Sequence, residues 1–157
     1  MKISKITIVI GIVLSFLAGF LLQIIDLSKS DFDEEILEIG KGEFVIDGDT
    51  FILSDNRKVR LIGVDAPEKD EFLYEESKQL LKFLVEGKTV KLEKEVMETD
   101  RYGRLLRHVF KDNIWVNKTL LDEGLARVMT IPPDNFSAVF LEKAESKAKD
   151  NKKGLWK

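Results

Sequence analysis

No cysteine occurs among the 157 residues, which excludes a disulfide framework, a thiol nucleophile and a zinc site built on thiolates. Histidine is almost as scarce. With His108 alone, an imidazole-rich metal centre is excluded and a Ser-His-Asp arrangement would rest on a single residue. Any metal bound here is held by oxygen. An excess of basic charge is also missing: 25 Lys and Arg stand against 28 Asp and Glu, a net charge of −3. That balance argues against broad electrostatic capture of a polyanion, although a metal site needs local acid whatever it serves.

What is present begins with a run of twenty uncharged residues, 6–25. As a helix it would span the roughly 30 Å hydrocarbon core of a bilayer. Lys2 and Lys5 precede the run and acidic residues follow it, which sets the N-terminus inside and the remainder outside the cytoplasm. The alternative is a cleaved signal peptide, with Ala18 and Gly19 as the small residues and secretion as the outcome. Phe20, Leu21, Leu22, Ile24 and Ile25 carry the apolar stretch past that point and favour an anchor over residues 1–25. Residues 26–42 hold Asp26, Asp31, Asp33, Glu34, Glu35 and Glu38 against Lys29 and Lys41, and read as an acidic juxtamembrane spacer with a short helical turn near 34–39.

From residue 43 to 157 the pattern is that of one compact domain. Strands are expected at 43–46, 50–53, 58–64, 89–95, 104–111 and 114–116. Asp47-Gly48, Ser54-Asp55-Asn56 and Lys111-Asp112-Asn113 separate them as turns, so consecutive strands pair as hairpins. Three helices are expected. The first, about 70–86, turns Phe72, Leu73, Leu80, Leu81, Phe83 and Leu84 toward a core before Gly87. The second starts after a cap at Asn117 and carries Leu120 and Leu121 to Gly124, and the third, about 137–151, repeats at Phe140, Ala144 and Ala148. The fold class is α+β: a small five-stranded barrel of the OB type with three packed helices, preceded by one transmembrane helix.

Three segments carry candidate chemistry. Asp47-Gly48-Asp49-Thr50 places two carboxylates on a hairpin turn, and alone it reads as a turn. In residues 59–68, Arg60 lies within an apolar strand and needs an anion, since an unpaired buried charge costs about 3 to 5 kcal/mol. That anion is a ligand or, internally, Asp65 or Glu68. Thr99-Asp100-Arg101-Tyr102-Gly103-Arg104 leaves Arg104 at a strand start, where its planar fork suits a phosphate. His108, Trp115 and Trp156 read as packing residues, and the charges over 143–153 as a solvated helix face.

In combination, the order Asp-Gly-Asp-Thr, Arg, Asp-x-Pro-Glu, Asp-Arg-Tyr-Gly-Arg resembles the staphylococcal nuclease (thermonuclease) family, and the likeness runs over most of residues 44–156. Val116-Asn117, Gly124-Leu125-Ala126, the Glu-Ser-Lys-Ala helix and the closing Gly-Leu-Trp belong to it. The resemblance implies a calcium-dependent nuclease acting on DNA and RNA. By position it implies calcium ligation by Asp49, Asp65 and the carbonyl of Ala66, with Asp47 acting through water. It further implies phosphate binding by Arg60 and Arg104, and a catalytic carboxylate at Glu68. Tyr102 is a candidate substrate contact, and no protein partner is expected.

The match is imperfect at two places. Where the family has two tyrosines after Gly-Leu-Ala, this chain has Thr130 and Pro132. The lysine-rich loop after the catalytic glutamate is replaced by Lys69-Asp70-Glu71. Both changes bear on substrate preference more than on the reaction. The alternative function is a noncatalytic OB-type module that binds nucleic acid or a protein.

Overall fold

A computed structural model describes residues 38–157. The elements are β1 (Glu38–Val45), β2 (Thr50–Leu53), β3 (Lys58–Leu61), β4 (Gly63–Asp65), α1 (Tyr74–Val85), β5 (Thr89–Glu93), β6 (Leu105–Lys111), β7 (Ile114–Trp115), α2 (Val116–Asp122), β8 (Arg127–Met129) and α3 (Ala138–Asp150). A 3-10 turn, Gly154–Trp156, follows.

The sheet order β3-β2-β1-β5-β6-β7 is closed by a further pairing of β3 with β6, so β1, β2, β3, β6 and β5 form a five-stranded barrel. All its pairings are antiparallel except the closing β3–β6 pair. Strand β1 serves two neighbours: residues 38–41 pair with β5, and Gly42, Phe44 and Val45 pair with β2 across a register shift. The strand therefore begins at Glu38, inside the stretch read as an acidic spacer, and Glu38 and Ile39 are extended rather than in a helical turn. The expected anchor over 6–25 and the rest of the spacer lie outside the described residues. Among the described residues no helix is long and apolar enough to cross a membrane.

The alternation of the strands buries Val45, Phe51, Val59, Leu61, Val90, Leu92 and Val109 in one cluster, which the three helices complete. Helix α1 contributes Ser77, Leu81, Leu84 and Val85, one stripe at helical spacing. Phe83 stands two residues past Leu81, on the far side, and is exposed together with Phe72. The helix also starts later than expected, because Asp70 and Leu73 take left-handed conformations. In α3 the buried stripe is Leu141, Ala144 and Ala148, so Phe140, one position off that register, faces outward.

The run expected as one strand over 58–64 breaks in two. Gly63 has φ +72°, and a Cβ there would lie 2.3 Å from Leu141 Cδ1. Beyond the bend, β4 leaves the barrel and pairs with β8, a strand that the sequence pattern did not announce. Asn117 fixes this bend and is no cap: it is buried inside α2, accepts the Val109 amide at 2.9 Å and donates to Ile62 O at 2.9 Å. The helix instead begins directly at Val116, at the end of the short β7.

His108 is buried, as a packing residue should be, with Nε2 2.8 Å from Glu95 Oε1 and its ring edge-on to Trp115.

Candidate active site

The bend at Gly63 and the hairpin register bring distant carboxylates and guanidinium groups together. Thr50 pairs with Arg60 across β2 and β3, and Arg60 pairs with Leu106 across the closing seam. Asp49, one residue before β2, thus arrives beside Arg60. Arg60 Nη1 lies 2.9 Å from Asp49 Oδ2 and donates to Val64 O at 2.6 Å, while Nη2 lies 3.5 Å from Asp65 Oδ1. The internal partner of Arg60 is chiefly Asp49, with Asp65 at longer range. Glu68 takes no part in that pairing.

Asp49 is held on every side. Oδ2 also accepts the Ala66 amide at 3.0 Å, and Oδ1 accepts the Thr50 hydroxyl at 2.9 Å. Asp47 Oδ1 receives the Asp49 amide at 3.1 Å, which tightens the turn. Gly48 is required there, because a Cβ would stand 2.2 Å from Ser77 Oγ and 2.6 Å from Ala66 Cβ. Burial pushes the Asp49 carboxyl up to about 6, against the pull of the Arg60 charge and the Ala66 amide.

Arg104 enters from the opposite wall. Its Nε donates to Asp100 Oδ2 at 2.7 Å, its amide donates to Asp100 Oδ1 at 3.0 Å, and the Tyr102 amide donates to the same oxygen at 2.9 Å. Burial works to raise the Asp100 carboxyl, but these donors outweigh it and hold it below the usual aspartate value. Arg104 Nη1 reaches Thr50 Oγ1 at 3.5 Å. Arg60, Asp49, Thr50, Arg104 and Asp100 therefore form one continuous polar chain.

Both arginines line a groove of about 500 Å³ that Tyr102, Met97, Met129 and Ile131 also line. The guanidinium carbons of Arg101 and Arg104 lie 4.8 and 5.5 Å from the Tyr102 ring centre. Such a groove offers anion-binding forks beside an apolar wall, which suits a phosphate carrying a flat base. The wall is aliphatic where the tyrosines of the resemblance are missing, with Met129 and Ile131 flanking Thr130.

Of the residues singled out from sequence, Asp49, Arg60, Asp65, Ala66 and Arg104 come together, and Tyr102 sits exposed in the groove. Glu68 stands apart. Its side chain is exposed and makes no hydrogen bond or ion pair among the described residues, while its amide donates to Glu71 Oε2 at 2.8 Å. Asp100, Met129, Ile131 and the buried Asp134 were not anticipated as parts of the groove. Only Asp100 left a signal, as an acid four residues before Arg104 across a glycine turn.

The residues that could hold a cation are Asp49 and Asp65, with the main-chain oxygen of Ala66 that the resemblance implies. Among the described residues no three His, Cys, Asp or Glu side chains converge as a metal cluster. Water would supply the remaining ligands. An all-oxygen set of two carboxylates and a carbonyl fits a hard divalent cation such as calcium.

The family model for the staphylococcal nuclease homologues matches residues 58–157. An uncharacterized endonuclease of Escherichia coli is 38% identical over 116 residues, covering 71% of this chain and 72% of that protein. Thermonucleases of Staphylococcus hyicus and Staphylococcus intermedius are 35% and 32% identical over 121 residues, each covering 71% of this chain and 72% of their own. With its barrel, its paired arginines and these relatives, the chain belongs to the staphylococcal nuclease family.

Proposed function

We propose that this nuclease hydrolyses phosphodiester bonds of DNA and RNA with calcium as its cofactor, held at the cell membrane with the domain outside the cytoplasm. The observation that carries the hydrolytic reading is the joining of Arg60 and Arg104 through Asp49 and Thr50 along one groove. Two guanidinium forks fixed before substrate arrives stabilise the charge that builds on a phosphate as water attacks, and fixed charges need no rearrangement at that moment. Arg60 Nη2 has only the 3.5 Å contact to Asp65, so a donor remains for an incoming oxygen. Arg104 is steered by Asp100, and Tyr102 offers a ring for a base.

Asp49, Asp65 and the Ala66 carbonyl would hold the cation. When bound, calcium supplies a Lewis acid that polarises a phosphate oxygen. Glu68, exposed and uncommitted, orients the attacking water or accepts its proton. The anchor reading rests on residues 6–25 with Lys2 and Lys5 before them.

The test is digestion of DNA and RNA by the purified full chain. Turnover requires added calcium, stops in chelator, and is lost in Arg60→Ala and Glu68→Ala. Activity that persists in chelator refutes the calcium reading. Recovery of the chain in the culture fluid rather than the membrane fraction refutes the anchor and leaves the cleaved, secreted form.

A further inference from the structure

Strand β8 reaches beyond the residues that line the groove. Its register with β4 sets Met129 opposite Gly63, Val128 opposite Val64 and Arg127 opposite Asp65. Gly63, Val64 and Met129 belong to the groove lining, whereas the next pair, Asp65 and Arg127, stands just past it. Residues two apart on a strand share a face of the sheet, and so do directly opposed residues. Met129, Arg127 and Asp65 are therefore on one face, with Arg127 roughly 6–7 Å along the strand from Met129. Both Met129 and Arg127 are exposed.

Asp65 joins this face to the candidate active site. Arg60 Nη2 approaches its carboxylate at 3.5 Å from one side, and Arg127 stands across from it on the other, at a Cβ separation of about 4.5–5.5 Å for a directly opposed pair. Two guanidinium groups thus flank one carboxylate, the first inside the groove and the second beyond its end.

Among the described residues the Arg127 guanidinium has no carboxylate at ion-pair distance. What it meets is the Trp156 ring, with its central carbon 5.6 Å from the ring centre. That ring is itself held. Lys149 Nζ lies 4.4 Å from its centre, and Glu145 fixes Lys149 at 2.6 Å while accepting the Val128 amide at 3.0 Å. The Leu155 amide donates to Gly124 O at 2.8 Å and ties down the 3-10 turn that carries Trp156. The charge of Lys149 is offset by Glu145, whereas Arg127 rests on a prepared aromatic support with its donors uncommitted. A guanidinium supported by a ring keeps its edge N–H groups for an oxyanion.

Arg60 and Arg104 converge on one phosphate in the groove, and a nucleic acid carries its next phosphate one nucleotide further along. We infer that Arg127 binds the phosphate adjacent to the scissile one, so that the site recognises a chain of at least two phosphodiesters rather than a single linkage. This subsite rests on the nuclease reading and is independent of the calcium and membrane readings.

Two substrates isolate the role: a nucleoside 5′-(p-nitrophenyl phosphate), which has one phosphodiester, and a single-stranded decanucleotide. In the full chain, Arg127→Met keeps an apolar stem on Trp156 and removes the charge. The ratio of kcat/KM for the decanucleotide to that for the small ester is expected to fall several-fold, through KM of the decanucleotide. Affinity for a labelled decanucleotide is followed in chelator by fluorescence anisotropy over a range of salt concentrations. The slope of log affinity against log salt is expected to be about 0.7 shallower in Arg127→Met, the share of one phosphate contact on a single strand. Arg127→Lys, which returns the charge, is expected to restore the parental slope.

An unchanged ratio and slope overturn the inference and leave Arg127 as a packing partner of Trp156. An equal loss on both substrates places Arg127 at the scissile linkage or on Asp65, and overturns it as well. A parent chain that cleaves neither substrate refutes the hydrolytic reading, while the anisotropy slopes still decide whether Arg127 holds a phosphate. A urea midpoint at the parental value assigns the changes to the lost contact rather than to the fold.

Discussion

The two walls of the groove each present an arginine held by an aspartate, yet they are built differently. Arg60 is a strand residue with its side chain 10% exposed, and its partner Asp49 is equally enclosed. Arg104 stands at the mouth of a loop, 27% exposed, and Asp100 holds it from within the same turn. On the first wall the ion pair is part of the core, so its charges cannot be separated without leaving one stranded. On the second wall the pair is local, and the barrel does not depend on it. The same guanidinium is thus a structural and a chemical element at one position and almost purely a chemical one at the other.

The largest effect that tests this contrast comes from Arg60→Ala. It is expected to lower kcat by about 10²–10³ and to destabilise the domain by about 3 to 5 kcal/mol, because Asp49 is left buried and unpaired. Digestion rate and the urea midpoint measure the two losses. Arg104→Ala is expected to match the first loss but not the second, with roughly 1 kcal/mol of stability at stake. Equal destabilisation by both substitutions would erase the distinction.

Asp100→Asn sharpens it further. The guanidinium of Arg104 keeps its charge but loses its strongest tether, and turnover is expected to fall about tenfold. Because the folded protein holds Asp100 below its usual value, the stability it contributes is complete above the unfolded aspartate pKa of about 3.9. That contribution is lost as pH falls through the lower folded-state value. The acid limb of a urea-midpoint profile should therefore be shallower in Asp100→Asn than in the parent. The smallest effect is expected from Tyr102→Ala, a rise in KM of about tenfold with kcat little changed, measured on single-stranded substrate; Tyr102→Phe should restore the parental KM.

Much of this was legible in the residues. The turn pairs at Asp47-Gly48 and Ser54-Asp55-Asn56 delimit β2, and alternation locates most of the barrel strands. The hairpin register that places Thr50 opposite Arg60 was present in those same turns. Read through, it would have named Asp49 as the neighbour of Arg60 ahead of Asp65. Other features were out of reach because they depend on contacts distant in sequence. Asn117 bonds to Ile62 across 55 residues, and Met129 and Ile131 become groove residues only when β8 pairs with β4. Helix faces are hard to read at Phe83 and Phe140 for a related reason: a large apolar side chain suggests a core position, whereas the buried stripe is set by Leu81 and Leu141 one or two positions away.

The closing pair of β3 with β6 has a consequence in time. Parallel neighbours need a long excursion of chain between them, and here that excursion contains β4, α1 and β5. Loop-closure entropy is spent before such a seam gains its contacts, so seams of this kind form late in folding. Arg60 sits on that seam beside Leu106, and Arg104 precedes the strand that completes it. Until the barrel shuts, the two guanidinium groups stand at opposite edges of the open sheet β3-β2-β1-β5-β6. Hydrolytic competence is therefore expected to arrive only with closure of the barrel, and a half-folded chain to carry no assembled site.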